Sequence, residues 1–104
     1  MTLKELYNLL KATGYPVAYS HFNGPKQAPF ITYLVDGNPN FIADNKVYHK
    51  IKDVDIELYT TIKDEAVEKV LEDLLDQNDI PYEPYEVYIE SEKLFQKIYE
   101  VRLY

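Results

Sequence analysis

Val47–Thr61, VYHKIKDVDIELYTT, decides how the rest of this 104-residue chain is read. It is too long and too β-branched for a surface loop. Its second half alternates, with Val54, Ile56 and Leu58 on one parity and Asp53, Asp55, Glu57 and Tyr59 on the other. A two-residue period is the pattern of a strand with one face on a core and the other on water or a partner. Strands of about 5–6 residues are usual, so this stretch is expected to be the spine of a single sheet. The first half breaks the phase, because Val47, His49 and Ile51 have the opposite parity to Val54, Ile56 and Leu58. A regular strand cannot keep both apolar sets on one face. Either a bulge near Lys52 re-phases the strand, or the first half leaves the main sheet and projects as an arm.

On the C-terminal side, Asp64 is placed to cap a helix running to about Gln77. Ala66, Val67, Val70, Leu71, Leu74 and Leu75 form its apolar stripe. Glu65, Glu68, Glu72, Asp73 and Asp76 are expected on its outer face, with Glu65–Lys69 as the one favourable i,i+4 pair. Asn78 and Pro81 end it. Two strands follow, Tyr82–Glu90 and Leu94–Tyr104, joined tightly through Ser91 and expected to pair as an antiparallel hairpin.

On the N-terminal side, Leu3, Leu6, Tyr7 and Leu10 mark a helix over Thr2–Thr13. Thr2 and Glu5 are spaced for a capping box, and Gly14 and Pro16 for its end. Pro16–Phe22 reads as a short strand. The loop Asn23–Pro29 reads as the tip of a hairpin into Phe30–Asp36, FITYLVD, an apolar interior strand. Asp36-Gly37-Asn38-Pro39-Asn40 is the strongest turn signal. The resulting order is α-β-β-β-α-β-β. It predicts a single α+β domain over residues 1–104, with a mostly antiparallel or mixed sheet and two helices on one face.

Composition narrows the function. Eighteen acids against eleven bases give a net charge of −7, and Arg102 is the only arginine. Non-specific nucleic-acid affinity needs phosphate neutralisation by Lys and Arg, so direct duplex binding is not expected. The absence of cysteine excludes disulfide and thiolate chemistry. Lys4, Glu5 and Lys11 interrupt the N-terminal leucines, which argues against a secretory signal. No apolar run approaches the ~20 residues of a membrane span, so the chain reads as soluble. Eleven tyrosines suit half-buried sheet surfaces and protein interfaces.

Catalytic and metal signatures are missing. His21 and His49 are the only histidines and stand 28 positions apart. Neither HxxxH nor HxH spacing occurs, so no zinc site is predicted. The row Asp53, Asp55, Glu57 has the residue types for a divalent cation or an acid/base pair, yet reads more simply as a wet strand face or a charged interface. GxSxG, GxGxxG and GxxxxGK[ST] are all absent. No catalytic residue, cofactor or metal is predicted, and an enzyme is not expected.

Read in order, five segments carry a family resemblance: YPVAY (Tyr15–Tyr19), PFITY (Pro29–Tyr33), FIADNKVYHK (Phe41–Lys50), IELYTTIKDEAVE (Ile56–Glu68) and YIESEKLFQKIYEV (Tyr88–Val101). With the order of elements, they resemble the lambda-type tail-terminator, or tail-completion, proteins of long-tailed phages. The likeness is nearest to the small forms encoded by phages and prophages of Gram-positive bacteria. The resemblance implies a structural assembly protein of the virion, built in the host cytoplasm and placed at the tail–neck junction. Copies form a hexameric ring on the head-proximal end of the tail tube, although the chain could be a monomer in solution. The ring ends polymerisation of the major tail tube protein and joins the tail to a head-completion or neck protein. Genomic DNA passes through it without specific binding, and no membrane is involved. Under this reading the contact elements are the Asn23–Pro29 loop, the Asn38–Lys46 loop and the early half of the long strand. The interface residues are Phe41, Asn45, Tyr48, Lys50 and Tyr59, with Phe41 and Tyr48 as anchors. Other readings are another neck component, such as a head-closure or minor tail protein, or a bacterial α+β protein-interaction module.

Overall fold

A computed structural model describes residues 1–37, 42–43, 46–47 and 51–104. Its elements in order are α1 (Leu3–Lys11), β1 (Val17–Tyr19), β2 (Phe30–Gly37), β3 (Ile42–Ala43), β4 (Lys46–Val47), β5 (Lys52–Thr60), α2 (Glu65–Gln77), β6 (Tyr82–Ile89) and β7 (Leu94–Leu103). The expected α-β-β-β-α-β-β frame is present, with a short β3–β4 ribbon added between its second and third strands. The main sheet is mixed and five-stranded, in the order β1-β2-β5-β7-β6. The chain is α+β, and no helix among the described residues is long and apolar enough to cross a membrane.

Local chemistry explains both helices. Thr2 accepts from the Glu5 amide and Glu5 reaches back to the Thr2 amide, completing the capping box. α1 ends at Lys11, earlier than the pattern predicted. Thr13 Oγ1 then donates to the Leu10 carbonyl, and Gly14 takes φ +86°, a left-handed conformation that glycine adopts without strain. Asp64 caps α2 by accepting from the Val67 amide.

β5 lies in the middle of the sheet, between β2 and β7, in antiparallel register with both. Val54, Ile56 and Leu58 are fully buried beneath the helices. They meet Leu6 and Leu10 of α1, Leu71 and Leu75 of α2, and Tyr99, Val101 and Leu103 of β7 in one core. Burying each such side chain stabilises by about 1.5–3 kcal/mol.

Several expectations are corrected. β5 begins at Lys52 and keeps unbroken register with β7 to Thr60, so there is no bulge near Lys52. Lys46–Val47 instead pairs with Ile42–Ala43 in a separate two-stranded sheet, so this part of the stretch does leave the main sheet. The bulge falls on β2, where the register with β5 slips between Val35 and Gly37. β1 is shorter than Pro16–Phe22 and pairs parallel to β2, Val17 with Ile31 and Tyr19 with Tyr33. Asn23–Pro29 is therefore no hairpin tip but part of a crossover that contains a cis Ala28–Pro29 bond. On α2, Glu68 and Glu72 face the sheet, while Ala66 and Val70 are exposed. Lys69 pairs with Asp73 rather than Glu65.

Candidate interaction surface

With both helices on one side of the sheet, the alternation of β5 commits Asp53, Asp55, Glu57 and Tyr59 to the other side. Strand register then sets their neighbours. Asp55 lies opposite Leu34 and Glu100, and Glu100 lies opposite Glu83 on β6. Three carboxylates thus stand side by side across three strands, a direct juxtaposition of like charge that costs stability. The β2 bulge adds a fourth, because a bulge re-aims the extra residue. The carboxyl oxygens of Asp36, Asp55 and Glu100 lie within 4.8 Å of one another. Such oxygens are the donors a hard divalent cation takes, although exposed acidic groups are common without one.

The electrostatics follow from this crowding. Partial burial, then Asp36, Glu100, Glu57 and Asp53, push Asp55 up to about 6. Burial also raises Glu57, opposed by the hydroxyl of Thr32, which donates to it at 2.7 Å. Asp53 differs from both. Arg102 Nε donates to it at 2.8 Å and holds it below the ordinary carboxylate range. Asp36, Asp53, Asp55, Glu83, Glu100 and Arg102 line an open cleft of about 430 Å³ at this end of the sheet.

The opposite end of the same face is aromatic. Phe30 stacks on Tyr59 with ring centroids 4.7 Å apart, and Phe22 from the crossover loop meets Phe30 edge-on at 5.5 Å. Gln96 Nε2 donates to the Tyr59 hydroxyl at 2.9 Å and to Glu57 at 3.2 Å. With Thr32 and Lys26, these rings border a hollow of about 200 Å³.

Of the five residues predicted at the interface, Tyr59 lies here, half-buried in the aromatic end. Phe41, Asn45, Tyr48 and Lys50 lie outside the described residues. The predicted acidic row divides three ways: Asp53 goes to Arg102, Glu57 to Thr32 and Gln96, and Asp55 to Asp36 and Glu100. Sequence reasoning missed Asp36, Glu83 and Glu100 as members of the cluster. The parity of each within its own strand was available, but not the register that aligns the strands. Of the two histidines, His21 contacts the Ser20 hydroxyl, and His49 lies outside the described residues.

This surface suits charge-directed contact. The face presents aromatic area at one end and negative charge at the other, both of which protein interfaces use. The chain matches no family model and no curated protein.

Proposed function

We propose that this chain is a structural subunit of the tail-terminator kind. Copies of it form a hexameric ring on the head-proximal end of a phage or prophage tail tube. The ring stops polymerisation of the tube protein and receives a neck protein, at the tail–neck junction of the virion. It acts by contact, without a cofactor or a catalytic step. The observation that supports this reading is the uneven division of the sheet, with helices over one face and, among the described residues, an acidic, aromatic-ended face left uncovered beside a long edge strand. Such a division leaves two distinct surfaces for neighbours, which a ring subunit requires. The segment order FIADNKVYHK to IELYTTIKDEAVE, with its resemblance to tail terminators, supplies the kind of neighbour. The net charge of −7 supports passage of DNA without capture.

Electron microscopy of the purified protein, alone and added to growing tail tubes, tests the proposal. Six-fold rings and capped tubes of uniform length are expected. A protein that stays monomeric and never caps a tube sinks it. The double change Phe41→Ser and Tyr48→Ser is expected to weaken ring formation with the urea unfolding midpoint unchanged, and wild-type rings from that variant overturn the anchor assignment.

A further inference from the structure

The loop that carries the chain from β1 to β2 contains the dipeptide Asn23–Gly24. Of the asparagines in the sequence, this is the one followed by glycine. Asparagine is thermolabile because its side-chain carbonyl lies within reach of the next residue's amide nitrogen. Attack by that nitrogen closes a five-membered ring, and glycine obstructs it least, having no Cβ. The chemistry needs an accessible carbonyl, a free amide and backbone room to bring the two together.

All three are present at Asn23–Gly24. Both residues are exposed, in a bend between elements. Among the described residues, neither the Asn23 side chain nor the Gly24 amide has a hydrogen-bond partner. A Cβ built on Gly24 would meet nothing within 4 Å, so no packing restrains the backbone there. Comparable sites are held. The Asn78 side chain donates to the Leu74 carbonyl at 2.8 Å, and the Asp79 amide donates to the Asp76 carbonyl at 3.1 Å. At Asp36–Gly37, the glycine is locked in β2 opposite Asp53. Asn8 lies inside α1, and Asn38 precedes a proline, which has no N–H.

We infer that Asn23 is a site of spontaneous covalent modification, with water as its only reagent. The Gly24 nitrogen gives up its proton and bonds to Asn23 Cγ. The bond from Cγ to the side-chain nitrogen breaks, and ammonia leaves with that proton. Water then adds to either carbonyl of the succinimide ring. Opening at Cγ gives aspartate, while opening at the main-chain carbonyl gives isoaspartate, which routes the chain through the side chain. Either product adds a carboxylate to a protein of net charge −7. In sequence the new charge falls between Phe22 and Lys26, which border the aromatic hollow. Conversion therefore changes a loop surface and leaves the core alone. The inference does not depend on the ring reading.

The test incubates the folded full-length protein at physiological temperature, at neutral and mildly alkaline pH, and maps tryptic peptides by mass spectrometry. Peptides 12–26, 27–46 and 70–93 report Asn23, Asp36 and Asn78 separately. Peptide 12–26 is expected to gain one mass unit and an isoaspartyl group before the others change, and faster at the higher pH. Gly24→Ala should slow it about tenfold or more and leave the urea midpoint unchanged, since the added methyl has open space. Asn23→Gln should abolish the early conversion, because its ring would need six members. In urea, Asn78 is released from its bonds and should speed up, whereas Asn23, already free, should change by less than about twofold. A peptide 12–26 that stays intact or converts after the others overturns the inference. So does an undiminished rate in Gly24→Ala, or an Asn23 rate that rises on unfolding as much as that of Asn78.

Discussion

The two faces of the sheet treat their charges in opposite ways. On the covered face, Glu68 is 5% exposed and shared by two lysines, Lys63 at 2.8 Å and Lys97 at 2.8 Å. Lys97 also reaches Glu72, which accepts from the hydroxyl of the buried Tyr99 at 2.7 Å. Lys63 extends the network to Glu86 on β6. Burial pushes Glu68 up, but the bonds from Lys63 and Lys97 outweigh it and leave Glu68 below its ordinary value. On the open face, Asp36, Asp55, Glu83 and Glu100 are gathered with no lysine among them in the described residues, and Asp55 moves up instead. A buried charge without a partner is costly, whereas the same charge near water is tolerable. Lys97 of β7 and Lys63 of the β5–α2 connection therefore serve the core, and among the described residues the carboxylates of the open face have only Arg102, paired to Asp53, beside them.

The largest effect is expected from removing the central cation of the covered face. Lys97→Met leaves Glu68 with one half-exposed lysine and Glu72 with only Tyr99. A loss of about 3 kcal/mol at pH 7 is expected, the usual cost of breaking a buried pair. Urea unfolding measures it. The further change Glu68→Gln should recover part of the loss, since it removes the stranded charge. A cost below about 1 kcal/mol for Lys97→Met erases the contrast between the faces.

The open face predicts the reverse sign. Asp55 has its folded pKa raised from 3.8 to about 6. Its protonated form is therefore favoured by folding, and that stability is fully present below about pH 4 and lost as pH rises through about 6. Each tenfold change in proton affinity corresponds to about 1.4 kcal/mol, and solvent screening of this partly exposed carboxyl reduces the total. Asp55→Asn should accordingly stabilise the protein above pH 7 by roughly 2 kcal/mol. The gain should fade as pH drops toward 4. The covered face opposes this at lower pH, because Glu68 is depressed and its contribution is lost as pH falls through its folded pKa. On these two groups wild-type stability should therefore fall as pH rises from about 4.5 through 6. A profile still rising from pH 6 to 8 contradicts the open-face account.

How much of this could be read from the sequence depended on how local each feature is. The capping box at Thr2 and Glu5, the cap at Asp64 and the alternation of Val54 to Leu58 are written within a few residues, and all three are present. The phase break before Asp53 was legible as a conflict, but the sequence left its two resolutions open. The parallel pairing of β1 with β2 was illegible, because the loop between them carries the same turn residues a hairpin would. Glu68 and Glu72 looked like an outer helix face, since polarity was the only guide. Their partner Lys97 arrives from a strand 25–29 positions later, and nothing near α2 announces it. The acidic cluster failed for the same reason: Asp36, Asp55, Glu83 and Glu100 come from four strands.

The smallest effect tests whether the open face has any counter-charge of consequence. Among the described residues Arg102 is the cation at its acidic end, paired to Asp53 at 2.8 Å with both side chains near 40% exposed, 43% and 40%. An exposed pair contributes about 0–1 kcal/mol and is screened by salt. Arg102→Gln should therefore move the urea unfolding midpoint only slightly at low salt and not measurably near 1 M. Asp53 should titrate higher in that variant, because the bond that depresses it is gone. Asp55 should barely move, since its rise comes from burial and from Asp36, Glu100, Glu57 and Asp53, with Arg102 not among the causes. NMR titration of the aspartate carboxyl carbons separates the two. If the Asp55 midpoint instead moves as far as that of Asp53, Arg102 already neutralises the cluster, and the open face is less available to a cationic partner than its composition implies.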